Sequence, residues 1–161
     1  MPYPVVIIGA GPIGLAAAAN AAERGLDFVI LEAGDHAGFA VSQWAHVRLF
    51  SAWRELVDPA ARRLLESDGT WTAPDEGAYP TGGEWREQYL QPLSELLDGL
   101  PHGSVRYGTR VVGVGRAGRD LLVDSGRNND PFAIHLDSTQ GPQRLLASAV
   151  VDASGTWTQP N

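Results

Sequence analysis

Hydrophobic residues fall in three different rhythms along the chain, and each predicts a different element. Near the start, Val5-Val6-Ile7-Ile8 is a wholly apolar, β-branched run that stops at Gly9, the pattern of a strand buried on both faces. Pro12 suits the first turn of a helix, where its missing N–H costs nothing. The Ala-rich stretch Ile13–Arg24 continues that helix, and Gly25 stops it with a left-handed cap. Phe28-Val29-Ile30-Leu31 is a second buried strand, followed by Glu32. Strand, Gly-rich turn, helix and strand within about thirty residues make a βαβ unit.

The middle of the chain follows a helical period. Gly34 to Trp53 reads as an aromatic loop. Asp58-Pro59 is an N-cap followed by N1, opening a helix to about Ser67 that ends near Gly69. Residues 68–83 read as loop, and Thr81-Gly82-Gly83-Glu84 fits a capping box. The helix it opens places Trp85, Tyr89, Leu93 and Leu96 or Leu97 on one stripe, with Pro92 set to kink it. After Ser104 the period shortens to that of strands. Val105–Tyr107, Arg110–Val114, Leu121–Asp124, Phe132–Leu136 and Arg144–Ala147 are short runs divided by Gly, Asp and Asn, which predicts an antiparallel meander. Ala149–Ala153 then returns to a buried apolar strand. The fold class is therefore α/β, with a helical insertion at about 55–98.

Composition narrows the chemistry. In 161 residues there are 12 basic and 19 acidic side chains, for a net charge of -7, so no basic face for nucleic acid is expected. All the basic residues are Arg, and there is no Cys. That excludes Schiff-base and P-loop lysines, thiol nucleophiles, disulfides and Cys-based zinc sites. His36, His46, His102 and His135 have no metal-ligand spacing, so no metal is expected. No stretch reaches the roughly 20 apolar residues of a membrane span, and no signal peptide is evident, so a cytoplasmic location is expected by elimination.

Gly9-Ala10-Gly11-Pro12-Ile13-Gly14 is a G-x-G-x-x-G turn between a strand and a helix. Gly9 permits the tight turn, Gly11 lets the backbone approach a pyrophosphate, and Gly14 lets the helix pack closely on the sheet. The helix N-terminus offers open N–H groups to phosphate. Glu32, eighteen residues after Gly14, can accept both ribose hydroxyls. Dinucleotide binding follows. Asp58 is a helix cap, Trp71, Trp85 and Tyr89 are core, His46 and Arg48 are loop-packing residues, and Ser154 lies in no G-x-S-x-G elbow.

Val5 to Glu32 resembles the N-terminal signature of FAD-dependent pyridine nucleotide oxidoreductases. Ala153-Ser154-Gly155-Thr156-Trp157-Thr158-Gln159-Pro160 is similar to the A-T-G-x-W-x-x-P segment of flavin-containing and Baeyer–Villiger-type monooxygenases, with Ser154 where Thr is usual. The resemblance implies a partial FAD-binding Rossmann-like domain over residues 1–161. It implies that FAD is held by Gly9, Gly11, Pro12, Ile13, Gly14, Glu32 and Ala33, that Val111 touches the adenine through backbone, and that Ser154 and Gly155 pass near the cofactor. Ala37-Gly38-Phe39-Ala40, with Gln43-Trp44 later, is a loose match to the family's G-G-x-W loop, which would put Trp44 near the flavin. NAD(P)H would be the co-substrate of a longer protein, because the family's second Gly-rich βαβ and its distal Gly-Asp strand have no counterpart here. The expected function is the FAD half of an NAD(P)H-dependent monooxygenase-like flavoprotein acting on a small molecule, inactive as this chain alone. The alternatives are a non-catalytic FAD- or NAD-binding module, and a thioredoxin-reductase-like disulfide reductase whose dithiol lies elsewhere. The resemblance assigns no catalytic residue, substrate or oligomeric state.

Overall fold

The computed structural model describes residues 3–118 and 125–157. Strand β1 (Val5–Ile8) leads into helix α1 (Pro12–Glu23) and strand β2 (Phe28–Leu31). Helix α1 ends as the sequence predicts: Gly25 takes φ +62°, and the Leu26 N–H reaches back to the Ala21 carbonyl at 3.1 Å. Strands β3 (Val105–Arg106) and β7 (Ala149–Asp152) complete a parallel sheet in the order β3-β2-β1-β7. Strands β4 (Thr109–Arg116), β5 (Phe132–Ser138) and β6 (Gly141–Ala147) form a separate antiparallel meander.

Alternation along the central strands sorts the core into two layers. Val6, Val29 and Leu31 point to one side, where Ile134, Leu136 and Ala147 of the meander cover them. Ile7, Phe28 and Ile30 point to the other side, against the helices. The order of layers is helices, parallel sheet, meander. Short helices α2 (Phe39–Ser42) and α3 (Trp53–Leu56) precede α4 (Pro59–Asp68), which is followed by α5 (Gly82–Trp85), a π-helical turn (Arg86–Leu90) and α6 (Gln91–Gly99). The apolar faces of these helices share one buried cluster with α1, so residues 53–99 form the outer layer of the same core.

Three sequence expectations need correction. Val105–Tyr107 is no part of the meander. Its backbone pairs in parallel with β2 through Val105 and Arg106, because the Ser104 and Arg106 carbonyls accept from Ile30 and Glu32. The loop from Gly34 to Trp53 contains a helical turn, α2, entered through Gly38 at φ +67°. Strand β7 is half-exposed where a buried strand is expected, because it lies at the edge of the sheet, and Val151 keeps 36% of its surface. The expected run Leu121–Asp124 lies outside the described residues, as do Thr158–Pro160.

The helical layer follows the local signals closely. Asp58 Oδ1 accepts from the Ala60 and Ala61 N–H groups at 2.9 and 3.1 Å, and Gly69 ends α4 in the left-handed region. Thr81 and Glu84 close the capping box in both directions, at 3.1 and 2.7 Å. Pro92 cannot donate to the Gln88 carbonyl four residues earlier. The helix absorbs this with the π-helical turn, and Trp71 Nε1–H donates to the freed carbonyl at 2.6 Å.

Tyr89 joins two of these helices: its phenolic oxygen accepts from the Asp58 N–H at 3.0 Å. Burial pushes the phenol up to about 12. A raised folded pKa makes its stabilisation complete below the ordinary value near 10, and the stabilisation is lost as pH climbs from there to about 12. Wild-type chain should therefore lose about 2–3 kcal/mol across that window through this group. Tyr89→Phe should lack that alkaline limb and be about 1 kcal/mol less stable at neutral pH, having lost the acceptor for Asp58. Urea titrations of both proteins from neutral to alkaline pH check this. Parallel pH curves for the two would overturn it.

Candidate functional site

A cleft of about 340 Å³ opens at the carboxyl ends of β1, β2 and β7. Strand β1 runs out through α1 to β2 on one side and is flanked by β7 on the other, so the cleft sits where the strand order reverses. Open α/β sheets bind ligands at such a point.

The Gly-rich turn at its floor is held on every side. The Gly9 N–H donates to the Leu31 carbonyl at 2.8 Å, and the Ala153 N–H donates to the Ile8 carbonyl at 2.9 Å. Ala10 is fixed at both ends: its N–H donates to Glu32 Oε2 at 2.7 Å, and its carbonyl accepts from Gly38 N–H at 2.9 Å. The other Glu32 oxygen, Oε1, accepts from the Gly34 N–H at 2.7 Å. One carboxylate thus ties the turn after β1 to the turn after β2. Each oxygen keeps further lone-pair capacity toward the cleft.

The three glycines of the motif have distinct surroundings. Gly9 has φ +101°, and a Cβ there would lie 2.7 Å from the Ala153 carbonyl oxygen. A Cβ on Gly14 would lie 1.9 Å from the Gly9 carbonyl oxygen, so the helix can sit this close to the strand only without a side chain. Gly11 is different. Its φ of -81° suits any residue, and nothing in the chain lies within 4 Å of its would-be Cβ. That open space faces the start of α1, where no side chain caps the helix. The first main-chain bond into the helix runs from the Leu15 N–H to the Gly11 carbonyl at 3.0 Å, so the Ile13 and Gly14 N–H groups ahead of it are those a first turn leaves open.

Of the residues singled out from sequence, Gly9, Gly11, Pro12, Glu32, Ala33, Val111, Ser154 and Gly155 line the cleft together. Ile13 and Gly14 do not. The Ile13 side chain is 71% exposed, and Gly14 is buried under the turn, so each offers at most its backbone N–H. Trp44 does not line it either. After the α2 turn the chain folds back against α5, and the Trp44 ring packs where a Gly82 Cβ would stand, 2.6 Å from Cε3. Residues that sequence reasoning left out also line the cleft: Gly34, Gly38 and Phe39 from the second loop, Thr109 and Arg110 from β4, and Trp157. Gly38 lay in the loosely matched segment, and Arg110 is the neighbour of Val111, so adjacency was the available signal.

On the β7 side, Asp152 Oδ1 accepts from both the Ser154 N–H and the Ser154 hydroxyl, at 3.1 and 2.7 Å. These bonds hold its carboxyl below the usual carboxylate range. They fix the turn that carries Ser154 and Gly155 into the cleft. The site as built has backbone donors and open space for a diphosphate, a carboxylate for a diol, and a mixed polar and apolar wall.

Comparison with known proteins bears on the fold. The NAD(P)-binding Rossmann-like domain family matches residues 7–72. No curated protein matches the chain. Among solved structures, the bacillithiol disulfide reductase Bdr (YpdA) from Bacillus cereus is 22% identical with a TM-score of 0.72, over 99% of this chain and 41% of that one. OTEMO in complex with FAD and NADP is 19% identical with a TM-score of 0.66, over 96% of this chain and 26% of that one. An oxidized steroid monooxygenase bound to NADP is 22% identical with a TM-score of 0.64, over 95% and 26%. The chain spans about two-fifths of the length of the reductase and about a quarter of the length of the other two. The chain has the Rossmann-like α/β fold, which it shares with a disulfide reductase, a steroid monooxygenase solved with NADP and a protein solved with FAD and NADP.

Proposed function

We propose that this chain forms the FAD-binding part of an NAD(P)H-dependent flavoprotein oxidoreductase of the monooxygenase kind. The observation that carries the reading is the pairing of an open, Cβ-free Gly11 with a Glu32 carboxylate held rigidly across the same cleft. A dinucleotide needs both: room for backbone to meet a pyrophosphate, and an acceptor for a ribose diol one phosphate-ribose length away. The likeness to a protein solved in complex with FAD and NADP supports FAD for this cleft. The cleft volume lies near the lower end of the roughly 300–1,000 Å³ of small-molecule sites, the scale of the ADP half rather than the whole cofactor. Gly11, Pro12 and the first N–H groups of α1 would receive the diphosphate, and Glu32 the ribose. Val111, Ser154 and Gly155 would close around them. The bound flavin supplies two-electron chemistry between a nicotinamide and an acceptor, while these residues bind and orient it.

The monooxygenase assignment is supported by Trp157 in its Gly155-Thr156-Trp157 setting and by the likeness to a steroid monooxygenase. A disulfide reductase is the second reading, supported by the likeness to the bacillithiol reductase. With no Cys in this chain, its dithiol would have to come from elsewhere.

The test is titration of the purified chain with FAD, followed by flavin fluorescence. Wild type should bind, and Gly11→Val should lose at least tenfold in affinity, because its side chain fills the space the pyrophosphate needs. The variant should still fold, since its backbone conformation is an ordinary one. A folded Gly11→Val protein with undiminished FAD affinity would sink the assignment.

A further inference from the structure

Among the residues that line the cleft, two side chains carry charge: Glu32 and Arg110. Glu32 is engaged by the Ala10 and Gly34 N–H groups. Arg110 has no hydrogen-bond or ion-pair partner among the described residues, and its cross-strand neighbour Asp137 makes no ion pair with it. Elsewhere in this acidic chain Arg62 meets Glu66 at 2.8 Å and Arg63 meets Glu23 at 2.7 Å, while Arg106 and Arg144, which do not line the cleft, make no ion pair among the described residues. Arg110 is set apart by its place: of the arginines without an acid partner among the described residues, it is the one that lines the ligand cleft. Its position is fixed by the start of β4, where the Gly108 and Thr109 N–H groups donate to the Gly34 and Glu32 carbonyls at 2.8 Å each. Arg110 thus stands beyond Glu32, on the side of the cleft away from Gly11.

We infer that Arg110 lays its guanidinium plane against the purine of the bound dinucleotide and so sets the cleft's preference for an adenine-bearing ligand. This rests on the dinucleotide reading. The diphosphate belongs to the Gly11 end, where backbone donors and the helix dipole meet it. The ribose belongs to Glu32. What remains on the far side is either the base or a phosphate on the ribose. A 2′-phosphate would be brought against the Glu32 carboxylate, whereas a neutral purine would not. Guanidinium is planar, weakly hydrated and suited to stacking on a π-face, so the base is the occupant that fits.

The experiment compares wild type, Arg110→Ala and Arg110→Lys, titrated with FAD, with NADP and with FMN, which has no adenine, each at low and high salt. Arg110→Ala should weaken FAD about three- to fivefold, the scale of a solvent-exposed cation–π contact. Arg110→Lys should lose nearly as much, since it keeps the charge but not the plane. FMN affinity should be unchanged, and the FAD loss should persist at high salt. Unchanged FAD affinity in Arg110→Ala overturns the inference. So does full rescue by Lys, which would make charge the whole effect, or a loss confined to NADP, which would make Arg110 a 2′-phosphate receptor. If wild type binds FAD and Gly11→Val does not, any of these results leaves the dinucleotide reading standing. If wild type binds neither FAD nor NADP, the dinucleotide reading itself fails.

Discussion

Gly14→Ala should cost about 4 kcal/mol or more, beyond the 1–3 kcal/mol of ordinary overpacking. The added methyl would stand 1.9 Å from the Gly9 carbonyl oxygen, an atom of the backbone that cannot rotate aside. Relief would require α1 to lift off β1, breaking contact between Leu15, Ala18 and Ala19 and the sheet beneath them. For a chain of this size that is a fall of roughly 8–16 °C in melting temperature, and total stabilities of about 5–15 kcal/mol leave little reserve. Thermal unfolding followed by near-ultraviolet circular dichroism is the measurement. A variant melting within about 2 °C of wild type would show that the helix and strand have slack between them.

Removing the Glu32 carboxylate should have the second largest effect, and on stability as well as on ligand. In Glu32→Ala the Ala10 and Gly34 N–H groups lose their acceptor, at a site that water reaches only in part. Two charge-assisted bonds lost in such a place amount to about 3 kcal/mol after water makes up some of the difference. Glu32→Gln keeps one acceptor and should fall between the two. The ligand effect separates from this one because it needs ribose hydroxyls in the ligand, whereas the stability effect appears in the ligand-free chain. Chemical denaturation of the ligand-free proteins decides it. Equal midpoints for wild type and Glu32→Ala would mean that the carboxylate serves only the ligand.

The first thirty residues were legible because each boundary has a local cause. A wholly apolar tetrapeptide, a Pro at N1 and a Gly beyond the last turn each act within a few residues of themselves. The capping box at Thr81 and the Asp58 cap belong to the same class. Strand β3 was not legible as part of the parallel sheet, because two residues carry no period and their partner is chosen by main-chain bonds to β2. The exposure of β7 depends on its neighbours in the sheet, which its own apolar composition does not report. In the site, the glycines and Glu32 were legible because the chemistry demands those residue types. The packing of Trp44 against α5 was not legible, because an aromatic residue in a loop is equally at home against a ligand or against another helix. Arg110 went unread because a lone charge on a strand is ordinary until the cleft around it is known.

The stripe Trp85, Tyr89, Leu93, Leu97 advances by four residues at every step, and all four side chains are buried. On an unbroken α-helix such a stripe drifts by about 40° per step, so its last member would lie about a third of a turn away from its first. The π-helical turn at Arg86–Leu90 winds less per residue and pulls the phase back between the first and third members. Pro92 therefore does more than bend the helix: by demanding that wider turn, it keeps a four-residue repeat aligned on one side. A single-residue deletion between 86 and 90 would remove the wider turn together with about 100° of winding and leave Leu93 and Leu97 facing the core, whereas regular winding at the present length would carry them off it, so it is the pairing of Pro92 with the extra residue that this segment must keep.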